Sequence, residues 1–140
     1  MGRIFVVRLQ DGDVLNSSIE QLAREEGIER AMLIYLGGAR AGSVIIAGPE
    51  DSDAIPVKPM EALLEGVHEA CGVGTIFPDE SGNPVLHLHA AFGRAGDASA
   101  GCTRKKVVTW HVGELVLIEI TDSTAVRRKD PATGFELVEP

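Results

Sequence analysis

Aromatic side chains are scarce in this 140-residue chain, at one Trp, one Tyr and four Phe. Any core built from it must therefore be mainly aliphatic. Cysteine is nearly as rare: Cys71 and Cys102 stand alone, without CxxC spacing. At this length a chain buries roughly two-thirds of its unfolded surface, so no disulfide scaffold is needed. Long apolar runs are missing too. Nothing approaches the roughly 18 residues of a membrane span, and the run near the N-terminus, residues 4–7, is too short for a signal peptide. With two unpaired thiols, these absences lead us to expect a soluble protein of the reducing cytoplasm, with no membrane partner. Positive charge is in deficit, 13 Lys and Arg against 21 Asp and Glu, for a net charge of −8. That balance repels polyanions, so direct DNA binding would need a partner or a local basic patch. Two short patches exist: "TRKK" (103–106), with Arg104, Lys105 and Lys106, and "RRK" (127–129), with Arg127 and Arg128. The alternative reading of both is solvated strand ends and turns.

What is present suits one compact domain over residues 1–140, with 44% apolar residues and 16 glycines as punctuation. Residues 3–13 are β-branched, extended, and end in the turn pair Asp11-Gly12. A capping-box spacing, Ser17 then Glu20, opens the best helix, from about 17 to 26; Ile19, Leu22 and Ala23 share a face and Gly27 is its stop. "AMLIYLGGARAGSVIIAG" reads as two strands broken near Gly37-Gly38, and residues 49–59 as an acidic, proline-bearing loop or edge connection. Residues 60–78 are ambiguous between helix and strand, although "GVGTIF" favours strand. After a turn at 79–83 come a strand "PVLHLHAAFG", a small-residue loop at 93–100, then "CTRKKVVTWHV" and "ELVLIEIT". The tail turns between Asp130 and Gly134. Seven to nine strands with one helix make an α+β pattern, not alternating βαβ units.

The chemistry concentrates in "HLH". Residues two apart on a strand share a face, so His87 and His89 project together with Val85, while Leu86, Leu88 and Ala90 pack behind. Two imidazoles so placed can turn toward one ion, but zinc needs a third ligand. Cys102 is the leading candidate, because the short loop lets the next strand return beside the first. His111, His68, Glu69 and Cys71 are further candidates. A cupin-like HxH would add a Glu a few residues later, and none comes before Glu114. A Cys102 thiolate held by a histidine could instead be a nucleophile, against the plainer reading of a small buried residue. "GGARAG" (37–42) lacks the GxxxxGK[ST] phosphate-loop pattern; Arg40 within it is either an anion contact or an ion-pair partner. Trp110 and His111 lie in "VVTWHV", a run typical of a strand covered on both sides or by another subunit.

The segments "GVGTIFPDESGNPVLHLHAAFG", "AGC", "ELVLIEI" and "RRKDPATGFELV", preceded by "FVVRLQDGD" and "LIYLGGAR", together resemble the PPC domain. In plants this domain follows AT-hook motifs in nuclear DNA-binding proteins; in bacteria and archaea it usually stands alone. The resemblance implies an α+β fold with a bent, mainly antiparallel sheet, one or two helices, and a homotrimer. It places Glu69 at the family's recurring Glu and the family's histidine pair on His87 and His89. A further family His corresponds to Cys102, after Gly101. Some members hold a metal there. A thiolate in that place keeps zinc and disfavours magnesium or calcium. The AT-hook arm has no counterpart in this sequence.

Three functions follow as expectations. The first is an oligomeric binding or regulatory domain that associates with itself and other proteins. It would carry a zinc or small-ligand site of His87, His89 and Cys102, with Glu69, Arg40 and His111 around it. The second is a metal- or thiol-dependent enzyme using the same residues, with Glu69 or Glu114 as acid or base. The third is direct DNA binding through the two basic patches brought together by trimerisation.

Overall fold

The computed structural model describes residues 2–140. Ten strands and one helix follow in chain order: β1 Ile4–Gln10, α1 Leu15–Glu26, β2 Ala31–Ala39, β3 Val44–Pro49, β4 Pro59–Leu63, β5 His68–Pro78, β6 Pro84–Arg94, β7 Asp97–Lys106, β8 Thr109–Glu119, β9 Val126–Lys129 and β10 Glu136–Glu139. The first eight strands form one open antiparallel sheet in the order β1-β8-β2-β5-β6-β7-β3-β4. β9 and β10 form a separate two-stranded hairpin that packs against β5.

Alternation decides which face is inside. On β6, Leu86, Leu88, Ala90 and Phe92 are buried, while His87, His89 and Ala91 are exposed. The same period runs through β2, whose Leu33 and Tyr35 are buried between exposed Met32, Ile34 and Leu36. α1 lies over the buried face of β6 and β7 and contributes Leu15, Ile19 and Ala23 to the core. No helix among the described residues is long and apolar enough to cross a membrane.

The helix is where the sequence indicates, but its start is held differently. It begins two residues earlier, at Leu15, with Val14 as N-cap and no side-chain cap. The Leu15 amide donates instead to the Val107 carbonyl at 2.8 Å, so a neighbouring backbone does the work of a capping side chain. This frees Glu20, whose carboxylate accepts from the Leu86 amide at 2.8 Å and pairs with Arg104 at 2.9 Å. Gly27 closes the helix in the left-handed conformation, φ +65°, with the Ile28 amide returning to Ala23 at 2.8 Å.

Two strand boundaries differ from expectation. Gly37-Gly38 looks like a break, yet β2 runs through it with a register shift against β8. A Cβ on Gly37 would lie 2.7 Å from the Tyr35 hydroxyl, and one on Gly38 would lie 2.4 Å from the Trp110 carbonyl oxygen. These glycines let β8 and a buried tyrosine come close, so they serve packing and not a turn. Gly113 likewise lies inside β8, 3.0 Å from Tyr35 at its would-be Cβ. The supposed loop at 93–100 is shorter: β6 runs to Arg94 and β7 begins at Asp97. Residues 97–100 are exposed throughout, so no alternation marks them as strand.

A candidate metal centre on the open face of the sheet

Strand pairing brings the three predicted ligands together. His87 and His89 lie two apart on β6 and point to the open face. Cys102 on β7 is the direct cross-strand partner of His89. One ring nitrogen from each histidine and the Cys102 sulfur all lie within 4.8 Å of one another. His87 Nε2 and His89 Nε2 are hydrogen-bonded at 2.9 Å, one donating and one accepting, with the rings edge-to-face. Donors around a tetrahedral zinc stand about 3.3–3.8 Å apart, given bonds of roughly 2.0–2.3 Å. Two imidazoles and a thiolate at these separations fit that ion after small side-chain rotations. Zinc bound here would act as a Lewis acid or a structural tie, with a ring nitrogen from each of His87 and His89 and the Cys102 sulfur as its holders.

The electrostatics favour unprotonated imidazole. His87 is pushed below the ordinary imidazole pKa, first by desolvation and then by His89, Arg127 and Arg104. Thr75 stands across the ladder from His87, with Arg127 bonded to its hydroxyl, and His89 is hydrogen-bonded to the ring. A depressed pKa keeps the ring neutral near pH 7, the form that coordinates metal. Beside the cluster lies an open depression of about 530 Å³, floored by Gly72, Val73, Ala91, Ala100, Gly101 and Ile46. His89 lines it on the cluster side, and the rest of its lining is small and apolar.

The remaining predicted residues sit elsewhere. Glu69 shares β5 with Val73, the partner of His89, but four residues along, about 13 Å at strand rise. It lines a different depression, with Arg94, Asp97 and Trp110. Glu114 is on β8, three strands from β6, about 14 Å across the sheet. Arg40 is the ion-pair partner of Asp11 at 2.6 Å, and Asp11 also accepts from the His111 amide at 2.8 Å. Asp11 thus links the segment at Arg40 to β8 at His111, whose backbone is left-handed, φ +60°. His68 Nδ1 bonds the Gly66 carbonyl at 3.0 Å, and Cys71 is exposed one row along from the cluster.

The basic patches are largely occupied. Arg104 holds Glu20 and the Leu86 carbonyl, Lys105 holds Glu61 at 2.8 Å, and Arg128 holds Glu139 at 2.8 Å. Lys106 is exposed. Arg127 is 5% exposed and turned inward. Its Nη2 donates to the Thr75 hydroxyl at 3.3 Å, directly across the ladder from His87. Thr75 and this use of Arg127 escaped the sequence reading, because neither has a motif and both depend on register.

The cluster also lies within a continuous row. Val6, Val116, Ile34, Val73, His89, Cys102 and Ile46 are successive cross-strand partners over seven strands. Val6 is 85% exposed, Val73 58% and Ile34 50%. An apolar stripe of this extent leads straight to the candidate ligands.

A match over residues 1–121 to the Plants and Prokaryotes Conserved (PCC, or PPC) domain agrees with this geometry. The chain belongs to that family. The matched residues contain β1 to β8 and all three candidate ligands, whereas the β9–β10 hairpin lies beyond them. Among solved structures, a metal-containing protein from Archaeoglobus fulgidus is similar at TM-score 0.85 and 23% identity, over 99% of this chain and 94% of that one. A PPC protein from Pyrococcus horikoshii aligns at TM-score 0.81 and 23% identity, over 97% and 93%. A Bacteroides thetaiotaomicron protein provisionally named DNA-binding aligns at TM-score 0.80 and 18% identity, over 99% and 93%. These likenesses establish the fold: an open, mostly antiparallel sheet with one helix, as the α+β expectation had it. The bifunctional protein GlmU of a Synechococcus strain is 24% identical over 95% of this chain. The chain spans about a fifth of the length of the curated relatives it matches.

Proposed function

We propose that this PPC domain is a homotrimeric binding or regulatory domain with a zinc site formed by His87, His89 and Cys102. The observation that carries the reading is the placement of three soft donor atoms within 4.8 Å of one another on an exposed face. The donor set suits zinc, since a thiolate and imidazoles are poor ligands for magnesium or calcium. The apolar row supports self-association, because exposed stripes of this size are usually covered in use. Trimer formation through that row sets the zinc site at or beside a subunit boundary. The name of the A. fulgidus relative, a metal-containing protein, is consistent with the metal.

The absence, among the described residues, of any carboxylate from the depression beside the cluster, whose lining apart from His89 is apolar, and the distance of Glu69 and Glu114 favour binding over acid–base catalysis. Some PPC relatives carry DNA-binding names. For this chain the net charge of −8 and the carboxylate partners of Arg104, Lys105 and Arg128 favour an indirect role, through a partner protein.

Native mass spectrometry of protein purified without a metal-affinity tag tests both parts of the reading. A species of three chains carrying zinc, with the zinc lost in His87→Ala, is the expected result. A metal-free trimer would leave the self-association and remove the metal; a 14.9 kDa monomer would remove the trimer.

A further inference from the structure

Positive charge stands beside the His87–His89–Cys102 cluster with little to answer it. Arg127 reaches in from β9, beyond the family-matched residues, and lies against Thr75, opposite His87. Its Nη1 donates to the Glu136 carbonyl at 3.3 Å, and the guanidinium stands 5.9 Å from the Phe77 ring. Its Nε is buried without a hydrogen-bond partner, and among the described residues no carboxylate lies within 4.0 Å of it. Burial and the Arg104 charge push its pKa down, and Glu136 offsets this in part. Arg104, the other cation felt by His87, is different, because Glu20 neutralises it at 2.9 Å.

A buried guanidinium without a counter-ion is unfavourable, and a nearby divalent cation makes it more so. Zinc with one thiolate and two neutral imidazoles keeps a net single positive charge, to which Arg127 adds another. Three protein ligands also leave the fourth tetrahedral position open. We propose that this position takes a small oxyanion, a carboxylate or phosphate, whose charge Arg127 balances from the Thr75 side. The inference rests on the zinc reading above and adds the class of ligand the site accepts. Metal and anion then bind cooperatively, each raising the affinity of the other by the same factor. The anion has two sources of one chemistry: a free small molecule, or a carboxylate side chain from a second copy of the chain.

The test is zinc affinity by competition with a chromophoric chelator, at constant ionic strength, with chloride replaced by acetate or by inorganic phosphate. Wild type is expected to bind zinc about tenfold tighter with one of these anions, a typical coupling between linked sites. Arg127→Met, of similar length and apolar, is expected to bind zinc and lose the anion effect. If wild type is insensitive and Ile34→Glu, which disrupts the apolar row, becomes sensitive, the carboxylate comes from the second copy, and the proposal stands in that form. Zinc binding that ignores both anions in wild type and in Ile34→Glu overturns the proposal while leaving the zinc site intact. Failure to bind zinc at all overturns the zinc reading itself, a separate result. The wild-type titration decides even if Arg127→Met does not fold.

Discussion

Glu119 shows how one side chain can fasten the two strands of the sheet's edge pair at one end. Its carboxylate accepts from Arg3 Nε at 3.0 Å, from Nη2 at 2.8 Å and from the Arg3 amide at 3.0 Å. These donors, with the guanidinium charge, hold its pKa down at about 2, from an ordinary 4.5. A carboxyl depressed in the fold binds its proton first in the unfolded chain, so acid favours unfolding. The contribution is therefore complete above about pH 4.5 and lost as the pH falls toward 2. The difference in melting temperature between wild type and Glu119→Gln should be constant near neutrality and shrink through that window. A difference unchanged down to about pH 2 would mean that shape, not charge, holds this corner. At the candidate site the residue scale is the most legible from sequence. His87, His89 and Cys102 differ chemically from everything around them, and the HxH spacing alone assigns the two histidines to one face. Thr75 carries no such signal, because a threonine on a strand is ordinary until its partner is known.

Among the elements, β7 is the hinge between the site and the far edge of the sheet. Gly101 sits beside Cys102, and a Cβ there would fall 2.4 Å from the Ile46 carbonyl oxygen on β3. Backbone cannot rotate away as a side chain can, so Gly101→Ala must push β3 from β7. Because Ile46 pairs with Cys102, the same displacement moves a ligand strand. We expect a loss of about 1–3 kcal/mol in urea denaturation, the usual range for overpacking. Unchanged stability would show that β3 already stands free of β7. Close approach also explains the misread strand boundaries. Gly37-Gly38 and Gly113 have the composition of breaks, yet they are where packed backbones meet. Glycine is read locally as a turn, and only the neighbouring strand reveals the other use. Helix α1 was legible to within two residues because its apolar spacing and Gly27 stop are local signals. The role of Glu20 was not, since its partners are 66 and 84 residues away in sequence, at Leu86 and Arg104.

For the whole molecule, the consequential feature is the uncovered apolar row. A charge placed in its middle meets no partner on the row and must be desolvated if a second copy covers it. Ile34→Glu is therefore expected to reduce the proposed trimer to the 14.9 kDa chain in size-exclusion chromatography with light scattering. Its fold should be unchanged by circular dichroism, since residue 34 is half-exposed in the single chain. An assembly of unaltered mass would place the interface elsewhere. The direction of each β6 side chain, the aliphatic interior and the helix follow from covalent geometry and periodicity, which act over a few residues and can be read along the chain. Which groups meet across strands is a matter of register, settled by packing between segments far apart in sequence. Cys102 arrives by a short hairpin and was within reach of inference. Thr75 arrives through the β5–β6 ladder, and Arg127 through a tail folded back over β5. A run of three basic residues looks like a surface patch, and Arg127 became a buried neighbour of His87 only because the hairpin turned its alternate side chain inward.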